Sequence, residues 1–351
     1  MAFQGITLDS LILERLLAPT DLMQQIARHV QLDGALLLSA EPRDVDAPGY
    51  LSDLAGVTLT WTGRNDAPTR AVLKVSHAGF GQPELPFYEN VAKRLNCPVV
   101  PDFYGGGIDE STGRTWLLME DLSASHERPS DAPLPPSFAR NVQIVEALAR
   151  FHAAGWNKDG WHDMGPTMWA RLRSSDWLEA GCDQLFAQAG DAVDDRTRNA
   201  YARFRLGFPA LIEQAERLRG RTLIHGDAHV WNWMLPREGI NDEPKLLDWD
   251  GWHLGVGAWD LAYMMAVQWD RGVRQRFEMP LLDRYHTALS ASGVTGYSRE
   301  TLQEDYRLAV LLHMRTPIAR FVRKMSAYVW WPQLTRIQDA VDDLRCLDLV
   351  T

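Results

Sequence analysis

The apolar run Arg70-Ala-Val-Leu-Lys-Val-Ser76 predicts a strand with Lys74 inside it. A helix is expected next over 84–95, where Phe87, Val91 and Leu95 recur every fourth residue and Pro86 suits the first turn. Thr115-Trp-Leu-Leu-Met-Glu-Asp-Leu122 follows Gly105-Gly-Gly and the polar turn Asp109 to Gly113, so it reads as the second strand of a hairpin. Ser and Pro then crowd the stretch from Leu122 to Pro136, which predicts a surface linker. Helical spacing returns over Phe138 to Ala154 through Val142, Val145, Leu148, Ala149 and His152. Two short buried strands are expected at Leu223-Ile224 and Leu246-Leu247. Leu302, Tyr306, Leu308, Leu311 and Leu312 make the C-terminal stretch helical. An amphipathic helix capped near Asp9 or Ser10 is expected at the start.

The short strands lead into the residues that carry chemistry. After Leu223-Ile224 comes His225-Gly-Asp-Ala-His-Val-Trp-Asn232, and after Leu246-Leu247 comes Asp248-Trp-Asp250. Phosphoryl transfer from a nucleotide needs this combination. Asp227 can accept the proton of an attacking hydroxyl, while Asn232 and Asp248 can hold the Mg²⁺ ions that neutralise the transferring phosphate. Asp250 can reach metal through water, or the acceptor. A strand lysine must meet the nucleotide phosphates and a helix glutamate must hold that lysine. Lys74 fits the first role and Glu84 the second, with Glu89 as the competing partner. Backbone groups near Glu120 to Leu122 are expected to hydrogen-bond adenine.

These residues stand in the order found in the aminoglycoside phosphotransferase and choline kinase family, which the chain resembles over roughly residues 45–270. Glu84-x-x-Phe-Tyr88, Leu118-Met-Glu-Asp-Leu122, Leu148-Ala-Arg-Phe-His-Ala153 and Trp259-Asp-Leu-Ala262 resemble its ecdysteroid-kinase-like branch. The resemblance implies an α+β, bilobal protein-kinase-like fold. A nucleotide-binding lobe, 1–122, would hold an antiparallel sheet plus helix; a larger, mainly helical lobe, 123–351, would hold catalysis and the acceptor. It also implies ATP and Mg²⁺ as cofactors, with Asp227 as base, Asn232 and Asp248 as metal ligands and Lys74 on phosphate. His225 and Asp260 would support the catalytic and metal-binding loops. The acceptor would be a small-molecule hydroxyl, on an antibiotic, amino alcohol, sugar or hydroxylated ring. A non-catalytic nucleotide-binding protein of the same fold is the alternative. The loop expected to cover the phosphates, Pro48 to Gly56, has only Gly49 and Gly56, which leaves Ser52 and nearby N–H groups to cradle them. His-Arg-Asp, Asp-Phe-Gly and Ala-Pro-Glu are missing in the protein-kinase arrangement, which argues against a protein substrate.

Composition narrows the picture. The 351 residues, 46% of them hydrophobic, suffice for two lobes with real cores. A net charge of −10 argues against nucleic acid as a partner. Residues 1–122 carry −7 of it, so global charge does not describe the acceptor side. No stretch of 18 apolar residues predicts a membrane span, and three scattered cysteines suit a reducing compartment, the cytoplasm. No feature sets an oligomeric state. Of the 14 tryptophans, Trp252, Trp330 and Trp331 are candidates for an acceptor pocket, with His253 and Asp270 beside them. Arg315, Arg320 and Arg323 have no assignable face, but an arginine cluster in the site would point to an anionic acceptor.

Overall fold

The computed structural model describes residues 26–27, 30–32, 34–43, 52–63, 66–76, 84–109, 113–130, 135–158, 160–161 and 165–350. The expected helix near Asp9 and residues 48–51 of the expected phosphate-covering loop lie outside the described residues. The chain forms two compact units. One comprises Met1–Arg94, Val100–Glu127 and Asp248–Asp250; the other comprises Leu95–Val99, Arg128–Leu247 and Gly251–Thr351.

In the first unit β1 (Gln31–Leu32), β2 (Ala35–Arg43), β3 (Ser52–Trp61), β4 (Arg70–Ser76), β5 (Phe103–Ile108) and β6 (Thr115–Glu120) pair antiparallel in the order β1-β2-β3-β4-β6-β5. Ala71, Leu73 and Val75 alternate inward from β4 and pack with Val57, Leu59, Trp116 and Leu118. Burying each of the larger side chains is worth about 1.5–3 kcal/mol. The alternation turns Lys74 to the opposite face. Residues 52–56, expected within a loop, are part of β3, where Gly56 pairs with Val72. Helix α1 is π-wound over Phe87–Ala92 and continues as an α-turn over Lys93–Leu95. The two-residue strand β7 (His126–Glu127) ends the unit's N-terminal part.

The second unit is mainly helical. Helix α2 (Phe138–Gly155) is capped by the Ser137 side chain, which accepts from Arg140 N, and packs along α7 (Arg271–Ala291). Helices α3 (Met168–Arg173), α4 (Trp177–Ala189) and α5 (Asp195–Glu216) follow. Two small antiparallel pairs come next: β8 (Arg221–Ile224) with β11 (His253–Val256), and β9 (Trp233–Pro236) with β10 (Lys245–Leu246). They are the short apolar runs foreseen beside the motif. Helix α6 (Gly257–Ala262) runs into a π-wound turn, Tyr263–Val267. Helices α8 (Arg299–Leu312), α9 (Arg315–Val322) and α10 (Ala327–Asp343) complete the unit, with α9 packed on α10 and α4. Among the described residues no helix is long and apolar enough to cross a membrane.

Candidate active site

Strand β8 delivers the chain into a tight loop at His225-Gly226-Asp227. Gly226 has φ +81°, and a Cβ there would lie 2.5 Å from Gly251 O, so both backbone angle and space demand glycine. The buried Asp260 carboxylate holds this turn, accepting from His225 N at 2.7 Å and from Gly226 N at 2.8 Å. His152 Nε2 reaches the same carboxylate at 3.2 Å, and its Nδ1 is 2.8 Å from the Tyr285 hydroxyl. A carboxylate only accepts, so Nε2 carries a proton directed at Asp260. Burial raises the Asp260 pKa, but His152, His225 and these bonds outweigh it and hold the carboxyl below its ordinary value. His225 then closes the loop: Nδ1 accepts from Asp227 N at 3.2 Å and Nε2 donates to Leu247 O at 2.9 Å. Asn232 Nδ2 donates to Asp227 O at 2.9 Å, so Oδ1 is its remaining acceptor atom. Leu247 N donates to Asn232 O at 2.8 Å.

Asp227 sits among cationic and hydroxyl groups. Its Oδ2 is 3.5 Å from His229 Nε2, and Oδ1 is 3.6 Å from Arg320 Nη2. Arg320 Nη2 also donates to the Tyr263 hydroxyl at 3.0 Å. Burial favours the neutral acid, yet His229, Arg320 and Tyr263 together keep the carboxyl well below the usual range. Oδ1 is buried and accepts no hydrogen bond. An ionised carboxylate with an unused oxygen is suited to orient a hydroxyl. His229 and Tyr263 were not singled out in the sequence; the helical position of Tyr263 gives no signal that its hydroxyl faces this loop.

In the first unit Lys74 Nζ pairs with Glu84 and lies 2.7 Å from Asp248 Oδ1. Burial disfavours the ammonium, but the two carboxylates raise its pKa above the ordinary lysine value. Glu84 is buried and also accepts from Trp249 N through Oε1 at 2.6 Å, so it ties the lysine to the segment carrying Asp248. Phe87 stacks on Trp249 with ring centres 4.2 Å apart. Glu89, the competing partner, is exposed. Asp248 has φ +68°, a left-handed conformation that costs a non-glycine residue about 1–2 kcal/mol.

A family model described as "Phosphotransferase enzyme family" matches residues 23–299. The chain belongs to the phosphotransferase enzyme family. No curated protein matches it. Among solved structures, this family member is similar to a Plasmodium vivax ethanolamine kinase, with 11% identity and TM-score 0.56 over 88% of this chain and 84% of that one. An aminoglycoside phosphotransferase from Alicyclobacillus acidocaldarius has 13% identity and TM-score 0.53 over 89% and 92%. A macrolide 2'-phosphotransferase from Brachybacterium faecium has 15% identity and TM-score 0.51 over 89% and 95%. These likenesses show the fold: protein-kinase-like, α+β, with an antiparallel sheet in one unit and a mainly helical second unit.

The remaining sequence candidates of this family member fall in different places. Ser52 begins β3, and its side chain lies outside what is described. Glu120 ends β6 and its N–H donates to Asp102 O at 2.9 Å. Leu122 is buried and its carbonyl accepts from His126 N at 2.9 Å; among the described residues its N–H has no partner. Asp250 lies in the single turn Trp249–Gly251. Trp252 is buried, its ring so close over Gly165 that a Cβ there would sit 2.3 Å away. Trp330 is also buried, edge-on to Phe321 at 5.4 Å and to Trp331 at 5.7 Å. His253 is buried and donates through Nδ1 to Gly251 O at 2.7 Å, and burial pushes its pKa down to about 3. Asp270 is exposed and pairs with Arg336 at 2.8 Å.

Proposed function

We propose that the protein transfers the γ-phosphate of ATP, in the presence of Mg²⁺, to a hydroxyl group of a small molecule. The observation that carries this reading is the buried ion pair of Lys74 with Glu84, joined by Asp248. A phosphate-binding lysine in a kinase-like site has the same requirement. The similar solved structures are named for phosphorylating ethanolamine, aminoglycosides and macrolides, which supports an alcohol acceptor here.

The donor set suits the cofactors. Mg²⁺ takes hard oxygen ligands and is usually held by one or two carboxylates beside substrate phosphates. Asp248 and Asn232 Oδ1 would supply such oxygens, and the ion would neutralise charge on the phosphoryl oxygens during transfer. Lys74 would hold phosphate oxygens, with Glu84 fixing its direction. The unpartnered Leu122 N–H would meet the adenine edge, with Glu120 beside it. Asp250 would contact metal-bound water or the acceptor, while Trp252, Trp330 and Trp331 would shape the acceptor side.

Asp227 would orient the acceptor hydroxyl through its free oxygen. As the hydroxyl oxygen bonds to the γ-phosphorus, the bond from phosphorus to the bridging oxygen breaks and ADP departs. The hydroxyl proton passes to Asp227. A carboxylate held so far below its ordinary pKa is a weak base, so proton transfer comes late, once bonding to phosphorus has made the hydroxyl acidic.

The test is Mg-ATP turnover against a panel of aminoglycosides, amino alcohols, sugars, nucleosides and hydroxylated rings, with mass spectrometry for a product one phosphate heavier. Asp227→Asn should reduce turnover by about 10²–10⁴-fold and leave ATP binding in place. Turnover of Asp227→Asn within twofold of the parent would remove Asp227 from its role. No phosphorylated product with any acceptor, alongside intact ATP binding, would favour a non-catalytic nucleotide-binding protein.

A further inference from the structure

Three arginines of the second unit have no carboxylate among them, and one of them, Arg171, lies near Asp227. Arg171 on α3 donates through Nη1 to Gly251 O at 3.2 Å and through Nη2 to Trp252 O at 3.4 Å. Gly251 lies against the proposed base, since a Cβ on it would be 3.7 Å from Asp227 Cβ. Arg315, at the start of α9, donates to Ser175 Oγ at 2.9 Å and to Arg171 O at 3.5 Å. Its guanidinium lies over the Trp177 ring at 5.1 Å, and its Nε is buried with no partner. Arg323 follows the last turn of α9, one turn after Arg320, whose Nη2 is 3.6 Å from Asp227.

Elsewhere in this unit arginines find carboxylates: Arg173 with Glu216, Arg205 with Asp183, Arg271 with Asp343 and Arg274 with Glu278. Among the described residues, no Asp or Glu pairs with Arg171, Arg315 or Arg323. The hydrogen bonds of Arg171 and Arg315 go to neutral oxygens, which leave their charge uncompensated. The cations also repel one another. Burial, Arg323 and Arg171 together push the Arg315 pKa down to about 10, and burial with Arg323 lowers that of Arg171. A protein holds several half-buried like charges together at a cost in stability, and an anion placed among them reverses that cost. Arg323 is exposed, while Arg171 and Arg315 are partly buried.

We infer that Arg171, Arg315 and Arg323 bind an anionic group on the acceptor, a carboxylate or a phosphate, so that the phosphorylated alcohol is a hydroxy acid or a phosphate ester bearing a free hydroxyl. This inference rests on the proposed phosphotransfer at Asp227. It departs from a cationic acceptor such as an aminoglycoside or amino alcohol, which uncompensated arginine charge on this side of the unit would repel. Planar, forked guanidinium donors match the paired oxygens of a carboxylate or phosphate.

Four probes that share one carbon skeleton test it: glycerol, glycerate, glycerol 3-phosphate and 3-amino-1,2-propanediol. Binding is followed by tryptophan fluorescence, and phosphorylation by Mg-ATP turnover with mass spectrometry. Binding of an anionic probe about tenfold or more tighter than glycerol is expected, with the ammonium probe weakest. Glycerate against glycerol 3-phosphate tells carboxylate from phosphate. Arg323→Gln is the variant of choice, because the exposed side chain makes no hydrogen bond that the fold requires. It should weaken the anionic probe about tenfold, with a much smaller effect on glycerol, and leave the KM for ATP unchanged. Equal binding of all four probes would overturn the inference, as would a raised KM for ATP with unchanged probe binding, which would assign the cluster to the nucleotide. Anion-selective binding without phosphorylation of any acceptor, in this series or the wider panel, would uphold the anion site and count against phosphotransfer itself.

Discussion

Lys74 and Asp248 are 174 residues apart in sequence and 2.7 Å apart in the fold. Glu84 completes the set from the other side of the ammonium, with only 3% of its side chain exposed. Removing the cation therefore strands a carboxylate that has no access to water. Lys74→Ala should destabilise the protein by about 3 kcal/mol, and Lys74→Ala with Glu84→Gln should recover a large part of that loss. Urea unfolding of the two variants checks this. Equal stability of the single and double variants would mean the glutamate is not held by the lysine.

Asp260 ties together two backbone N–H groups of the His225–Asp227 loop and the His152 ring. Asp260→Asn keeps one acceptor oxygen and replaces the other by a donor. Stability should fall by roughly 2–4 kcal/mol. The turnover lost through displacement of Asp227 should reach up to roughly 10²-fold, with nucleotide affinity little changed. Crystallography of the variant with ATP, or kinetics split into kcat and KM, distinguishes this from simple unfolding.

Gly226→Ala meets two barriers at once: a φ of +81° and contact with Gly251 O at 2.5 Å. The expected loss is about 3 kcal/mol or more. Ala at Gly293, where φ is +92° but no atom lies within 4 Å, should suffer only the backbone part, about 1–2 kcal/mol. Thermal unfolding of the pair separates conformational strain from crowding.

Asp305 should make stability depend on pH. It is buried and accepts from the Tyr297 hydroxyl at 2.7 Å, and burial pushes its carboxyl up to about 6. Because the folded state binds this proton more tightly than the unfolded chain, the contribution is present at low pH. It is lost as pH rises from about 4 through 6. Over that span it amounts to about 3 kcal/mol. Asp305→Asn should abolish that part of the slope of stability against pH, and an unchanged slope would show that another group produces it.

Asp227 has the opposite sign. Its folded pKa is depressed, so its contribution to stability is present above the unfolded carboxyl value and is lost as pH falls through the folded one. Ionisation of Asp227 should therefore put no limb on the pH–rate profile between pH 5 and 8. Arg320→Gln removes one of the groups holding it down and should move its acid limb upward.

The parts of the site written in local pattern were legible in sequence. Strand β4 spans Arg70–Ser76 as its apolar run implies, and Lys74 falls on the face the alternation gives it. The helix after it was visible, but not its winding. Phe87, Val91 and Leu95 recur at an interval that fits one face of an α-helix, so nothing in the spacing signals the π-winding over Phe87–Ala92. The surroundings of Asp227 were not legible. Tyr263 and Arg320 meet across 57 residues, and neither the hydroxyl nor the guanidinium disturbs the periodicity of its own helix. The arginine cluster is similar: Arg171 comes from α3, Arg315 and Arg323 from the two ends of α9, and the link between Arg315 and Arg171 runs to a carbonyl that no side-chain pattern records. The phosphate-covering stretch misled in another way, since its polar residues Ser52 and Asp53 belong to a strand.

The placement of Asp248–Asp250 in the first unit bears on how the chain matures. A ribosome that has released residues 1–127 has supplied every strand of the six-stranded sheet, but not the carboxylate that Lys74 meets nor the Trp249 ring that Phe87 stacks on. Those arrive only after another 120 residues, at about 5–20 residues per second. Until then Lys74 has only Glu84 of its two carboxylate partners and Phe87 lacks the ring it stacks on, so a chain truncated near residue 127 is expected to be less stable than the first unit of the full chain.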